Sequence, residues 1–300
     1  MNHLFYSEIK IISNLVIQKF NLSLKLTIMA ILKKGVFQMT GSFANATMYR
    51  MHGSDKVIIR SKGGPSKKKI KTSPKCKVVR ENNSEWVGCT RMGSLIRASF
   101  EIMHRVEDYA VVGALNAVCK KIQKLDTENE QGKRSILLSQ HKEVLSGFSF
   151  GKNQVFESVL HVPVETSINR ETGKAYISIP AVDTGMYLYN FRNLPYYRII
   201  ANFSGACDWM VYLDGKKYIY KSPFTGYCDK ILGSFQSEWM QTVGIQPALD
   251  ITLEYPLDDF PIPDQITLIL CVGIEFGKMG EGKLISGVKY AGTGKIIRVG

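Results

Sequence analysis

Gly147-Phe148-Ser149-Phe150-Gly151 has the G-x-S-x-G spacing of a turn that presents a nucleophilic serine. Such a turn needs a strand before the serine and a helix after it. Here a helical pattern precedes Ser149 and strand-forming residues follow. The only histidine after Ser149 is His161, with Glu157 the sole acid between them. Three triad members within about a dozen consecutive residues do not converge as that chemistry requires. The stretch reads instead as a glycine-punctuated connection.

Gly277-Lys278-Met279-Gly280-Glu281-Gly282-Lys283-Leu284 comes close to a phosphate-cradling loop. Leu284 stands where a Ser or Thr hydroxyl would hold magnesium. The residues that follow read as strand, whereas phosphate needs the N-terminus of a helix. A hairpin loop is expected. Asp258, Asp259 and Asp264 could pair carboxylates for acid–base work or calcium, but Pro256, Pro261 and Pro263 make DDFPIPD a stiff loop with solvated acids. The five histidines are scattered, no two lie at i, i+4 spacing, and no cysteine sits at zinc-finger distance from them. No metal and no cofactor is expected, and the chain is read as a non-enzyme.

Charge is the stronger signal. Between Arg50 and Arg80 lie eleven Lys or Arg and one acid, Asp55, a net of +10 out of +13 for the whole chain. Residues 1–28 carry +2, residues 29–150 carry +12 and residues 151–300 carry −1. Charge so concentrated points to a polyanion partner or to a solvated, mobile run. Lysine ammonium groups neutralise phosphates and release counterions without reading bases, so binding would be largely sequence-independent. The candidate contacts are Arg50, Lys56, Arg60, Lys62, Lys67, Lys68, Lys69 and Lys71. Tyr49 and Arg60 could add stacking or a bidentate phosphate contact. Docking onto an acidic protein or an anionic surface would use the same charges.

The elements that must carry these residues follow from period and turn signals. Ala46 to Met51 and Lys56 to Arg60 hold β-formers around His52-Gly53-Ser54-Asp55, which predicts a hairpin within 43–61. Gly63-Gly64-Pro65-Ser66 then breaks the chain, and the lysine run up to Pro74 is expected to be an extended or flexible arm. Three- and four-residue steps from Val78 through Trp86, Cys89, Met92, Leu95, Ile96, Phe100 and Met103 predict a helix. A second helix is expected from Asp108, as cap, to Leu125, and a third from Lys133 to Leu145. Beyond Phe150 come short β-rich segments: 161–168, 175–179, 186–191, 197–203, 210–213, 218–220, 251–255, 266–276 and 284–290. Many short strands without long intervening helices predict an antiparallel sandwich. The expected fold is α+β: a basic β-hairpin and arm, a short helical region, then an antiparallel β-sandwich. The expected division is a doubtful extension at 1–28, then 29–150, then 151–300.

Residues 1–28 fit neither a secretory leader nor a spanning helix, and Met29 is the expected natural start. The six cysteines include no C-x-x-C pair, and free thiols in a cytoplasmic setting are expected, although Cys207 and Cys228 could bridge in an oxidising compartment.

Gly41-Ser42-Phe43, the run MYRMHGSDKVIIRSKGG from Met48 to Gly64, Lys69-Ile70-Lys71-Thr72-Ser73-Pro74 and Arg80-Glu81-Asn82-Asn83-Ser84-Glu85-Trp86 carry a resemblance. The chain resembles, from about Met29 onward, uncharacterised bacterial proteins that share a G-S … Y-x-M-x-G … R-x-K start. The ending Val288-Lys289-Tyr290-Ala291-Gly292 is similar to theirs. Lys75-Cys76-Lys77 departs from the bulky apolar residue usual near Cys76. The resemblance supports Met29 as the start and brings no activity with it. The charge leads to a non-enzymatic binding protein whose basic N-terminal hairpin and arm engage a polyanion, most simply nucleic acid without strong sequence preference. The alternatives are an assembly protein docking onto an acidic subunit, and an enzyme whose site no linear motif betrays.

Overall fold

A computed structural model describes residues 29–32, 40–50, 57–214, 217–224, 233–255 and 262–300. The chain divides into two compact units at Ser73/Pro74. This differs from the expected break near residue 150, because the helical region shares a core with the sheets that follow it.

The first unit holds β1 (Met29–Leu32), β2 (Gly41–Phe43), β3 (Ala46–Arg50) and β4 (Val57–Ser61), in the antiparallel order β1-β4-β3-β2. The expected hairpin strands pair, with Thr47 opposite Arg60 and Tyr49 opposite Ile58. The His52–Asp55 turn and Lys56 lie outside the described residues. The lysine run is not the extended arm that its composition suggests. It forms a short helix, α1 (Lys67–Thr72). Ser66 caps it by accepting from the Lys69 N–H at 3.2 Å, and the Ser73 N–H closes the other end on the Lys69 carbonyl. Lysine is a good helix former, and Pro74 ends the turn.

The second unit opens with α2 (Lys77–Ala98) and α3 (Val111–Leu125), which pack on each other. Asp108 does not cap α3. Its carboxylate accepts from the backbone N–H groups of Lys152 and Asn153 at 2.7 and 2.9 Å, and Ala110 holds the cap position. Trp86 is also not on the buried stripe of α2; it is 48% exposed. The expected helix over 133–145 is absent except for a 3-10 turn at 142–145. Its backbone groups go elsewhere: Ile136 and Trp209 exchange N–H···O bonds at 2.8 and 2.9 Å. Asp126 takes the N–H groups of Glu128, Asn129 and Ser135.

Burial opposes ionisation of Asp126, but these hydrogen bonds outweigh it and hold its carboxyl below the usual range. A depressed carboxyl stabilises the fold above its unfolded pKa and stops doing so as pH falls through the folded value. The stability gap between wild type and Asp126→Ala should therefore be widest at neutral pH and should narrow below about pH 4. Urea melts at the two pH values measure it.

Further along come α4 (Phe156–Val159), β5 (Glu165–Asn169), β6 (Lys174–Ile179), β7 (Val182–Asp183) and α5 (Thr184–Tyr187). The segment 186–191 is thus not a strand: Asp183 caps α5 by accepting from the Gly185 N–H. Next are β8 (Tyr196–Cys207), β9 (Met210–Asp214), β10 (Lys217–Lys221), β11 (Gly233–Gln236), β12 (Met240–Gln241), β13 (Ile245–Gln246) and β14 (Leu249–Glu254). The chain ends with β15 (Ile266–Met279), β16 (Ile285–Gly287) and β17 (Thr293–Val299). All pairings are antiparallel.

The central sheet runs β11-β8-β15, with β16 and β17 on the far edge of β15. The second sheet is β14-β6-β5. β5 lies against β17, where Arg298 Nε donates to Thr166 Oγ1 at 3.0 Å, and β14 lies against β11. The sheets therefore meet along both edges and enclose Ile177, Ile251, Leu253, Phe203, Leu270 and Val272. On the other face of the central sheet, Ile200, Ile269 and Cys271 pack with Met92, Ile96, Leu115 and Ile122 from the helices. Buried on both faces, β8 and β15 read as long apolar runs rather than alternating strands.

Two polar arrangements pin these layers. Arg198 and Glu275, opposite each other on β8 and β15, form an ion pair at 2.7 Å, and the Trp239 ring lies 4.3 Å from the guanidinium carbon. Between α2 and α3, buried Glu85 takes Lys120 Nζ on one oxygen and the Gly132 N–H at 2.8 Å on the other. Buried Gln123 accepts from Lys120 and donates to the Tyr220 hydroxyl at 2.9 Å. Gly88 lets the Tyr220 ring lie on α2, since a Cβ there would sit 2.6 Å from it.

Cys76, Cys89, Cys119 and Cys271 are free and buried. Cys207 is disulfide-bonded, which corrects the expectation of free thiols throughout. Cys228 lies outside the described residues. Among the described residues, no helix is long and apolar enough to cross a membrane.

Candidate polyanion interface

The basic candidates fall into two groups within the first unit. α1 carries Lys67, Lys68, Lys69 and Lys71, all exposed, around half-buried Ile70. At about 100° per residue, Lys67, Lys68 and Lys71 share an arc of roughly 100° and Lys69 points away. The first turn has no acid to offset the helix dipole. Lys67 and Lys71 sit at i, i+4, where like charges repel. Among the described residues, none of the four lysines has an acidic partner. The Ser66 cap and the bond from Thr72 Oγ1 to the Lys68 carbonyl at 3.0 Å hold the turn despite that repulsion. A polyanion placed across the arc would relieve it.

The sheet supplies the second group. Residues opposite one another across β3 and β4 share a face, so Thr47, Tyr49, Ile58 and Arg60 lie together. Arg60 holds its guanidinium carbon 5.5 Å from the centre of the Tyr49 ring, within the range of a cation–π contact. Lys62 continues the same alternation, and its Nζ donates to the Ala44 carbonyl at 3.1 Å. That bond restrains the ammonium. Arg50, opposite Val57, belongs to the other face. The structure thus gathers Arg60 and Lys62 on one side of the sheet with Tyr49, and leaves Arg50 apart. Lys56 lies outside the described residues.

The other motifs singled out in the sequence fall on turns, a hairpin and exposed loops among the described residues. Ser149 Oγ donates to the Gly151 carbonyl at 2.6 Å within its own turn, and Ser149 forms a β-bridge with Lys295 rather than preceding a helix. Gly277 to Met279 end β15, and the Gly280 N–H bonds the Leu284 carbonyl at 2.8 Å, closing a hairpin to β16. Asp264 is fully exposed, while Asp258 and Asp259 lie outside the described residues. No group of three or more His, Cys, Asp or Glu that could hold a metal occurs among the described residues. Burial pushes the Cys89 thiol up to about 11 and Cys119 to about 12, and also raises that of Cys271 well above its ordinary value. Such thiols stay protonated and unreactive.

A groove of about 590 Å³ lies in the second unit, lined among others by Glu128, Ser139, Asp208, Tyr212 and Asp264. Asp208 is almost fully buried and accepts from the Ser139 N–H and hydroxyl at 2.8 and 2.6 Å. Burial raises its carboxyl. These bonds tie the 135–139 segment to the end of β8. Sequence reasoning missed both this pair and the Glu85–Gln123 cluster, because their members are far apart in the chain and share no spacing motif.

No protein-family model, no curated protein and no solved structure matches this chain.

Proposed function

We propose that the chain is a non-enzymatic binding protein whose first unit engages a polyanion, nucleic acid without strong sequence preference. α1 carries this reading: four exposed lysines in one capped turn, with no acid beside them among the described residues. Arg60 and Lys62 add positive charge on the sheet. The ammonium groups contact phosphates and release counterions, and the short lysine turn has no means of telling one base from another. Fluorescence anisotropy with labelled DNA and RNA at low salt tests it. Binding to both, with similar affinity across unrelated sequences, is the expected result. No binding at low salt overturns the reading.

A second reading is a structural or assembly protein whose basic residues dock onto an acidic partner subunit. It is favoured by apolar side chains far out of the second unit: Met186 at 69%, Ile245 at 74% and Val243 at 77% exposed. These lie on neighbouring segments, since the Thr184 N–H bonds the Gly244 carbonyl. Apolar groups so placed are a common mark of a protein–protein surface. Light scattering over a range of concentrations tests it, and a strict monomer counts against self-assembly. The cytoplasmic setting expected from the cysteines loses support from the Cys207 disulfide, because such bonds persist mainly in oxidising compartments.

A further inference from the structure

We propose that the polyanion is single-stranded nucleic acid, and that the β3–β4 face stacks one of its bases on Tyr49. This rests on the polyanion reading and adds the class of strand. Tyr49, the penultimate residue of β3, is 38% exposed, while Ile58 opposite it on β4 is buried. Arg60 sits against it on the neighbouring strand. Around them on the same face lie hydroxyls, with Ser42 and Thr47 oxygens 3.4 Å apart, and Lys62. The described residues of this sheet include no acid.

A flat ring with a guanidinium beside it, and hydroxyls and an ammonium farther along the same face, matches an unstacked nucleotide and the phosphates that follow it. The ring takes the base, and the cations take the adjoining phosphates. A duplex keeps its base faces covered and would use only the charges. A face built for charge alone has no use for an exposed ring beside the arginine. The division of labour follows: α1 supplies attraction that any nucleic acid satisfies, and the sheet supplies the preference for single strands.

The test compares a short oligothymidylate with a DNA duplex of equal length, using the full chain. Wild type should bind the single strand more tightly. Tyr49→Leu should weaken single-strand binding by about 5- to 150-fold and leave duplex binding nearly unchanged. It should also keep the salt dependence of wild type, because every cation that meets a phosphate is still present. Tyr49→Trp should retain the preference, and its added indole fluorescence should be quenched by the oligothymidylate. This second variant keeps an aromatic ring at the position if leucine disturbs the fold. Equal affinity for both forms, an equal weakening on both in Tyr49→Leu, or no quenching in Tyr49→Trp overturns the stacking proposal while the polyanion reading stands. Binding to neither form overturns both.

Discussion

Replacing Glu85 by alanine should cost the second unit about 3–5 kcal/mol of stability, the usual penalty for removing one partner of a buried ion pair. The carboxylate is 1% exposed and serves Lys120 and the Gly132 N–H at once. Its removal leaves a buried N–H without an acceptor and an ammonium, itself 23% exposed, without its counter-charge. The damage should spread, because Lys120 also holds Gln123, and Gln123 holds Tyr220 of β10 against α2. Glu85→Gln keeps an acceptor for Gly132 and should lose about 1–3 kcal/mol. Urea denaturation followed by circular dichroism resolves the two. A cost below about 1 kcal/mol for the alanine variant would show that water reaches the cluster and that the pairing is not what joins the helices to β10.

Changing Lys67, Lys68, Lys69 and Lys71 together to glutamine should remove most of the nucleic-acid affinity at low salt. Glutamine is close to lysine in helix propensity, so the Ser66-capped turn should persist without its charge. Each single-strand phosphate that is no longer neutralised flattens the salt dependence by about 0.7, so loss of the three lysines that share the arc should make the slope shallower by about 2. The same change should leave the stability of the second unit untouched. Arg50→Gln, on the opposite sheet face, should do far less.

Much of this arrangement could be read from residue patterns, and the failures share a cause. The β3–β4 hairpin was legible because Thr47, Tyr49, Val57, Ile58 and Ile59 flank a turn sequence. The two long helices were legible from their apolar period. α1 was not, because a run of lysines with no apolar period resembles a solvated arm; the readable signal was the Ser66 cap after Pro65. The 133–145 segment failed because a distant partner, Trp209, takes backbone bonds that a helix would have used. The layered core failed for the same reason. Nothing local in Met92 or Leu115 says that they pack on Ile269 and Cys271 of a strand more than a hundred residues away.

The candidate contacts were legible as a charge total but not as a surface. Arg50 and Arg60 look equivalent in the sequence, and only the strand register separates their faces. Tyr49 gains its meaning from Arg60 across the strand pair, at a distance no spacing rule supplies.

The salt dependence of single-stranded DNA binding by the unmodified chain bears most closely on the polyanion interface. Log K should fall linearly with log salt, with a slope of about −3 or steeper, set by the lysines of α1 together with Arg60. A flat slope, or binding that survives high salt undiminished, would be incompatible with an interface built on those charges.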